Sequence, residues 1–361
     1  MHRKWVLILG TLGILGLTIM RPCHSRAGEV PQVSTYKVLP AIRHDNLTVF
    51  PVIAAVSHDT RDFLTLDEGL RSGEVVVSET GSITPMVRPR HGTPLAPGGA
   101  QVNRLMLVNN SKRPLILLAG EIVTGGKQDR VIAKDRVVSP ESDPIDLGVF
   151  CVEPGRWTAT KANFGSLETA MAQPAVRARA MSDRNQEKVW SEVRNAQAAV
   201  AGQLPAPMAA EVGRTTSYAG VMQNDEVKRR VEAVSAPIQR DYESVIKQLR
   251  DRNAVGVVVA VNGELIWADL FASTDLLQKY WPKLVRSYGA EAFANQARMQ
   301  EVDVKAAQKF LDDMESRREI VETEPGLFRH TEISGDGFKA FELTSLLPKT
   351  NFDLHVAKMA E

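Results

Sequence analysis

The feature that most constrains the fold of this chain is a pair of apolar runs, 255–261 and 264–271, separated by Asn262-Gly263. Asn-Gly is a preferred two-residue connection between antiparallel strands, because both residues tolerate the positive φ angles of the tight turn. The runs are long and rich in valine, as strands usually are. The pattern therefore predicts a hairpin in the second half of the chain, with two long strands.

The rest of the chain divides into a β-rich first half and a helical middle. Short apolar runs bounded by turn residues predict strands as far as residue 152. Helical spacing of apolar residues follows, with Pro237 predicted to begin a new helix and Pro282 to kink or restart another. Runs 328–333 and 338–343 flank a Ser-Gly-Asp-Gly turn. The order of elements predicts an α+β fold with a β-rich first half, a helical middle and two further β-hairpins near the C-terminal end.

The first 27 residues have the organisation of a secretory signal peptide. Arg3 and Lys4 form a basic start, residues 5–20 are apolar, and Ser25-Arg26-Ala27 places small residues where signal peptidase needs them. We predict cleavage after Ala27 and a periplasmic or secreted protein. The alternative is an uncleaved amino-terminal anchor, although the apolar run is short for a membrane-spanning helix.

Cleavage would leave a tether over residues 28–45 and a single domain over residues 46–355. It removes four cations and no acid, so the formal net charge changes from +1 to −3. An acidic balance argues against nucleic-acid binding, and no stable membrane insertion is expected after cleavage. Cys151 is then the remaining cysteine, so no intrachain disulfide can form. Its apolar strand predicts a buried, inert thiol.

Two polar stretches each follow an apolar strand. Residues 120–130 read Gly-Glu-Ile-Val-Thr-Gly-Gly-Lys-Gln-Asp-Arg, and residues 151–157 read Cys-Val-Glu-Pro-Gly-Arg-Trp. Paired glycines permit unusual backbone angles and leave backbone N–H groups open. Cations, an amide and an indole after such turns suit an anionic or sugar-like ligand. The candidate ligand-binding residues are Gly125, Gly126, Lys127, Gln128, Arg130, Arg156 and Trp157.

Two carboxylates in these stretches are candidate catalytic groups. If Glu121 and Glu153 converge, either could act as a general acid or base in cleaving a glycosidic or ribosyl bond. The alternative is internal ion pairing, of Glu121 with Arg130 and of Glu153 with Arg156, which would only hold strand ends together.

Several known chemistries are missing from the sequence. Gly125-Gly126-Lys127 differs from a phosphate-binding P-loop, because Gln128 stands where a magnesium-binding Ser or Thr is required. There is no His-Glu-x-x-His zinc motif and no Gly-x-Ser-x-Gly nucleophile turn. The histidines of the mature chain are scattered rather than spaced as ligands. We therefore predict no metal and no cofactor.

The two polar stretches resemble a bacterial domain family of unknown function. It is named for its association with ADP-ribosylglycohydrolases and the rhodanese-phosphatase superfamily, and its pattern is Gly-Glu-Glu-Leu-x-Gly-Ala-Lys-Gln-Asn-Arg, then Cys-Val-Glu-x-Gly-Arg-Trp. A later stretch, 281–288, also matches. Ile122 stands where the family often has a second Glu, and Ala272 replaces a frequent acidic residue. The resemblance implies a link to ADP-ribose or nucleotide metabolism. The matching positions are Gly120, Glu121, Gly125, Lys127, Gln128, Arg130, Cys151, Val152, Glu153, Gly155, Arg156 and Trp157.

Three functional hypotheses follow. The first is an exported module that binds a small anionic ligand, nucleotide-derived or ADP-ribose-like, through the two stretches. The second is a metal-independent hydrolase or transferase that acts on such a ligand through Glu121 or Glu153. The third is a structural envelope protein that uses its long helices for protein contacts. The sequence identifies no protein partner.

Overall fold

The computed structural model describes residues 36–80, 100–158, 161, 163–167, 171–249, 252–298, 300–313 and 317–361. The predicted signal peptide, its cleavage point and the first residues of the predicted tether lie outside these ranges. Residues 91–99, whose prolines and glycine pair predict a loop, also lie outside these ranges. Within them, no helix is both long and apolar enough to cross a membrane.

The protein combines many short strands with a smaller set of helices. In chain order the strands are β1 (Tyr36–Val38), β2 (Ile42–His44), β3 (Leu47–Ala54), β4 (Leu64–Thr65), β5 (Val75–Glu79), β6 (Arg104–Asn109), β7 (Leu115–Leu117), β8 (Ile122–Thr124), β9 (Arg130–Ile132), β10 (Arg136–Val138), β11 (Ile145–Cys151), β12 (Gly165–Ser166), β13 (Asn253–Val261), β14 (Glu264–Phe271), β15 (Arg317–Glu324), β16 (Phe328–Gly335), β17 (Phe338–Ser345) and β18 (Asp353–Ala360). The helices are α1 (Leu66–Ser72), α2 (Pro174–Ala178), α3 (Gln186–Gly202), α4 (Ala206–Val212), α5 (Tyr218–Gln223), α6 (Asp225–Gln248), α7 (Thr274–Ala294) and α8 (Val304–Asp312), with a π-helical turn at Arg179–Asp183.

The largest sheet within the described ranges has nine strands, in the order β1-β3-β13-β14-β18-β17-β16-β15, with β2 paired to β3. The hairpins predicted at 255–271 and 328–343 are confirmed, as β13–β14 and β16–β17, whereas the apolar runs 105–108 and 115–118, whose spacing also predicts a hairpin, lie in β6 and β7 and do not pair with each other. At the first turn Asn262 has φ 53° and Gly263 has φ 79°, the left-handed geometry that an Asn-Gly turn requires. The predicted α+β fold, with strands first, helices in the middle and hairpins at the end, is confirmed.

The second half of the predicted tether is not a tether. Residues 36–38 and 42–44 form β1 and β2, and both pair antiparallel with β3. These strands are too short to show an alternating pattern of their own, and their hydrogen-bond partners come from β3. The sequence pattern alone could not have indicated them.

Two prolines predicted to interrupt helices lie inside continuous ones. Pro237 is within α6 and Pro282 is within α7. The two helices pack closely, because a Cβ at Gly289 of α7 would lie 3.0 Å from the Cβ of Ser235 in α6. This tertiary packing favours long helices over the local cost of a proline.

The first half of the chain contains a six-stranded sheet, in the order β12-β8-β9-β11-β6-β5. Its outer strands approach each other, because Ser78 of β5 forms a β-bridge with Asn163, just before β12. The amide of Phe164 also donates to the carbonyl of Val77 over 2.9 Å. The sheet therefore closes on itself, and we call it the closed sheet.

The closed sheet surrounds an apolar interior. Alternate residues of its strands point inward, as expected for a pleated sheet. They form one cluster that includes Val75, Val77, Leu105, Leu107, Val123, Ile132, Leu147, Val149 and Phe164. Residues of the opposite parity, such as Val131 and Val152, pack outward against α3, α5 and α6. This alternation decides which polar residues face into the closed sheet at the ends of its strands.

Candidate functional site

The two polar stretches meet at one end of the closed sheet. Arg130, the first residue of β9, lies opposite Cys151, the last residue of β11. Beyond this pair, Nε2 of Gln128 donates to the carbonyl of Glu153 over 3.1 Å. Nη1 of Arg156 donates to the carbonyl of Gly126 over 3.2 Å. Residues 125–130 and 153–157 therefore form one cluster, which we call the motif cluster.

Arg156 holds two carboxylates of the motif cluster. Its Nη2 lies 2.5 Å from Oε2 of Glu153 and 3.5 Å from Oδ1 of Asp129. The Glu153 carboxylate raises the pKa of Arg156. Burial, and then the charge of Glu153, raise the pKa of Asp129, whose Oδ2 accepts a hydrogen bond of 2.8 Å from Ser217. The predicted pairing of Glu153 with Arg156 is present, and Asp129 extends it.

The glycine pair has the backbone geometry expected of it. Gly125 has φ +131° and Gly126 has φ +48°. A Cβ at Gly126 would lie 2.2 Å from Cζ of Phe164 and 2.6 Å from Oε1 of Glu79, so only glycine fits. The nearby amides bind carboxylates of the protein itself: Gly125 N–H donates to Asp129 over 3.1 Å, and Lys127 N–H donates to Glu79 over 2.7 Å. The sequence predicts open N–H groups at this turn, but these two are occupied by side chains of the protein.

Arg130 points into the closed sheet. It has the same parity on β9 as Ile132, which belongs to the interior cluster, and its side chain is 0% exposed. Nη1 makes one long contact of 3.5 Å to the carbonyl of Asp129. Within the described ranges, Nε and Nη2 are buried without a hydrogen-bond partner. Burial lowers the pKa of this guanidinium, which is expected when desolvation exceeds the compensation by nearby charge.

Glu79 shares the end of the closed sheet with Arg130. It follows Val75 and Val77 at alternate positions of β5, both of which face the interior. Its Oε1 accepts the amide of Lys127, so Glu79 reaches the motif cluster that contains Arg130, and its charge opposes the lowering of the Arg130 pKa by burial. Sequence patterns did not indicate Glu79, Ser217 or the contact of Asp129 with Arg156. Glu79 and Ser217 reach the motif cluster only through the closure of the sheet and the packing of α5.

The outer rim of the motif cluster is aromatic and cationic. Nζ of Lys127 lies 4.9 Å from the centroid of the Trp157 ring, within the range of a cation–π contact. Trp157 is 43% exposed, so much of its indole is available to a planar ligand.

Glu121 lies apart from this cluster. Its carbonyl accepts the amide of Ile132, whereas the carbonyl of Asp129 accepts the amide of Val152, so Glu121 and Glu153 lie at opposite ends of β9. The Glu121 carboxylate is fully buried and accepts a hydrogen bond of 2.9 Å from Nζ of Lys283. Burial raises its pKa. Glu121 therefore pairs with Lys283 rather than with Arg130.

A buried ion network supports the turn that carries Glu121. Arg177 donates two hydrogen bonds of 2.9 Å to Asp269, and Nε2 of His355 lies 3.0 Å from the same carboxylate. Nδ1 of His355 lies 2.5 Å from Asp135, whose other oxygen accepts the amide of Ala119 over 2.7 Å. All four side chains are fully buried. Through Asp135 the network holds the amide of Ala119, and no local sequence signal indicated it.

Cys151 is buried, as expected from its strand. Burial raises the pKa of its thiol, and its Sγ accepts the amide of Glu153 over 3.3 Å. Among the described residues, no group of three or more His, Cys, Asp and Glu side chains is arranged to hold a metal ion.

The motif cluster and its surroundings fall within a family match. A model of the ARG and Rhodanese-Phosphatase-superfamily-associated Protein domain, ARPP-1, matches residues 35–355. The chain belongs to the ARPP-1 family. The resemblance inferred from the two polar stretches is therefore confirmed, and the ARPP-1 match includes β1 and β2 as well. Searches of curated proteins and of solved structures returned no match.

Proposed function

We propose that this protein binds a small anionic ligand at the end of the closed sheet that carries the motif cluster, with Arg130 as the inner anchor. The observation that carries the proposal is the guanidinium of Arg130, which is 0% exposed and has two nitrogens without a partner in the described ranges. A buried cation is costly unless it is paired and hydrogen-bonded. An anion that accepts from Nε and Nη2 would supply that pairing in a bidentate geometry.

The rim of the motif cluster supports the same proposal. Arg156 is committed to Glu153 and Asp129, so it orders the cluster instead of meeting the ligand directly. Lys127 and Trp157 remain at the exposed side, where a point charge and a ring face suit a phosphate or carboxylate attached to a planar group. The family name agrees with a nucleotide- or ADP-ribose-like ligand through association alone.

Thermal unfolding with a panel of nucleotides, ADP-ribose, sugar phosphates and dicarboxylates tests the proposal. A ligand at one hundred times its dissociation constant stabilises the folded state by roughly 2.7 kcal/mol. We expect at least one compound of the panel to raise the unfolding temperature. Arg130→Met should abolish this stabilisation, whereas Arg194→Met should preserve it, because Arg194 is an exposed arginine of α3. The absence of any hit would contradict the proposal and favour the structural, protein-contact hypothesis.

A hydrolase is the second candidate, and it is supported by the contact of both the Asp129 and the Glu153 carboxylates with Arg156. The two carboxylates share Nη2 of Arg156, and the pKa of Asp129 is raised by burial and by Glu153. A carboxyl group of raised pKa beside a second carboxylate is an arrangement that can cleave glycosidic bonds by general acid catalysis. The dyad would thus be Asp129 and Glu153 rather than Glu121 and Glu153.

Product analysis separates the two candidates. A ligand identified by thermal unfolding is incubated with the wild-type protein and with Asp129→Asn, and the products are resolved by chromatography. Products from the wild-type protein that disappear in Asp129→Asn, while affinity is kept, would support the hydrolase. An unchanged ligand after prolonged incubation with wild-type protein would leave binding as the function.

We propose in addition that the protein is exported. The proposal is supported by the basic, apolar and small-residue segments of residues 1–27. Amino-terminal sequencing of the protein recovered from the periplasm or the medium should begin at Gly28. A protein that begins at residue 1 and stays with the membrane fraction would support the uncleaved anchor instead.

A further inference from the structure

Two unpartnered acceptors accompany the unpartnered donors of Arg130. Oε2 of Glu79 and Oε1 of Gln128 are buried and have no hydrogen-bond partner among the residues that the structure describes. Glu79 is 6% exposed and Gln128 is 4% exposed. Buried polar atoms are almost always paired, so unpaired atoms on three side chains of one cluster indicate a partner that the described residues do not supply.

Both acceptors are held in fixed orientations. Oε1 of Glu79 accepts the amide of Lys127 over 2.7 Å, which leaves Oε2 as the atom that can meet a ligand. Nε2 of Gln128 donates to the carbonyl of Glu153 over 3.1 Å, and this contact assigns the unpaired atom of the amide as the oxygen. The orientations therefore present acceptors, not donors.

The acceptors and the guanidinium belong to the same end of the closed sheet. Glu79 is the last residue of β5 and faces the interior with Val77, and Arg130 is the first residue of β9 and faces it with Ile132. Gln128 lies two residues before Arg130 along the chain. A ligand that reached Arg130 would thus come close to carboxylate and amide oxygens as well as to a cation.

We propose that the ligand is a hydroxyl-bearing anion, such as a sugar phosphate or a polyhydroxy carboxylate. Its anionic oxygens accept from Nε and Nη2 of Arg130, and its hydroxyl groups donate to Glu79 and Gln128. An anion without hydroxyl groups would satisfy Arg130 and leave both acceptors buried and unpaired. Sites built to bind a hydroxyl group reject analogues that lack it, for this reason.

This inference rests on the proposed anion-binding function. Matched pairs of ligands test the preference for hydroxyl groups separately from the binding of anions. Isothermal titration of the full-length wild-type protein compares tartrate with succinate, and D-ribose 5-phosphate with n-pentyl phosphate. Each pair keeps the charged groups and changes the hydroxyl groups. We expect the hydroxylated member of at least one pair to bind ten or more times as tightly.

Two variants test which residues cause the preference for the hydroxylated ligand. Gln128→Met removes one acceptor and should reduce the preference for the hydroxylated ligand several-fold while the anion still binds, whereas Arg130→Met should abolish binding of both members. Equal affinities within both pairs, lost together in Arg130→Met, would overturn the hydroxyl inference and leave the proposed function standing. Failure of all four ligands to bind would overturn the inference and count against the proposed function too.

Discussion

Nη1 of Arg156 donates a hydrogen bond of 3.2 Å to the carbonyl of Gly126, a residue 30 positions earlier in the sequence, and this contact joins the two polar stretches. The same guanidinium pairs with Glu153 and lies near Asp129. Arg156 therefore holds the glycine turn, both carboxylates and its own strand end in one arrangement. The proposed site depends on this arrangement, and Arg130 lies at its inner side.

Arg130→Met should leave the ligand-free protein as stable as the wild type, or more stable by up to about 4 kcal/mol. A buried charge with poor pairing lowers stability, and an apolar side chain of similar length removes that cost. Urea unfolding without added anions measures the effect. A loss of stability in Arg130→Met would mean that Arg130 is a structural residue, which contradicts its assignment to the ligand.

Lys283→Met should lower the free energy of unfolding by about 3–5 kcal/mol, because it leaves Glu121 buried without its cation. Lys279→Met is the matched control, one helical turn earlier in α7. Its salt bridge to Glu68 is partly exposed, so its loss should cost no more than about 1 kcal/mol. Equal decreases in the free energy of unfolding for the two variants, measured with urea, would show that the buried Glu121–Lys283 pair stabilises the fold no more than the partly exposed pair does.

Gly126→Ala should be far more damaging than Gly155→Ala. Both glycines have positive φ, so both substitutions cost on the order of 1–2 kcal/mol for backbone strain alone. At Gly126 the new Cβ would also overlap Phe164 and Glu79, whereas at Gly155 no atom of the described residues lies within 4 Å. Thermal unfolding should show a clearly larger decrease for Gly126→Ala. Similar decreases in unfolding temperature for the two variants would argue against the close packing of Phe164 and Glu79 on Gly126.

The stability of the protein should fall as the pH rises from about 6.5 to 9. The carboxylates of Asp135 and Asp269 oppose the burial of His355 and raise its pKa to about 9, from an ordinary value of 6.5. A raised pKa stabilises the folded state fully below the unfolded value and loses that contribution as pH passes the folded value. The contribution of His355 is on the order of 3 kcal/mol.

His355→Gln is the control for this pH dependence. The variant should be less stable overall, since two buried aspartates lose a cation, but its stability should change less between pH 6.5 and 9. The comparison with wild type also cancels the opposite effect of Lys358, whose pKa is lowered to about 8 by burial. An unchanged slope in His355→Gln would assign the pH dependence to another group.

Those parts of the fold that depend on local signals could be predicted from the sequence. Asn262-Gly263 specifies its hairpin through two backbone angles. Thr65, with Glu68 three residues later, is a sequence pattern that predicts a capping box, and the two residues form one at the start of α1. Strands β1 and β2 could not be predicted, because three residues are too few to show an alternating pattern, and β15 and β18 show no clear alternation of apolar and polar residues. Residues 291–318 form a charged run whose spacing predicts a helical region, yet residues 317 and 318 begin β15.

The candidate site was only partly predictable for the same reason. Lys127, Gln128, Arg130, Arg156 and Trp157 can be identified because they stand together in two short stretches. Glu79 and Ser217 join them only when the sheet closes and α5 packs on it. Glu121 matches the pattern equally well, but it precedes β8, and this strand separates it from the motif cluster at the other end, so Glu121 pairs with Lys283 instead. Sequence proximity thus identifies the cluster and misassigns one of its carboxylates.

The most direct test of the proposed site is a crystal structure of the protein with the anion that stabilises it most in thermal unfolding. We predict an anionic oxygen within hydrogen-bond distance of Nε or Nη2 of Arg130, at the end of the closed sheet that carries the motif cluster. An anion bound elsewhere, with the Arg130 guanidinium paired to a carboxylate of the protein, would contradict the assignment of Arg130 as the anchor.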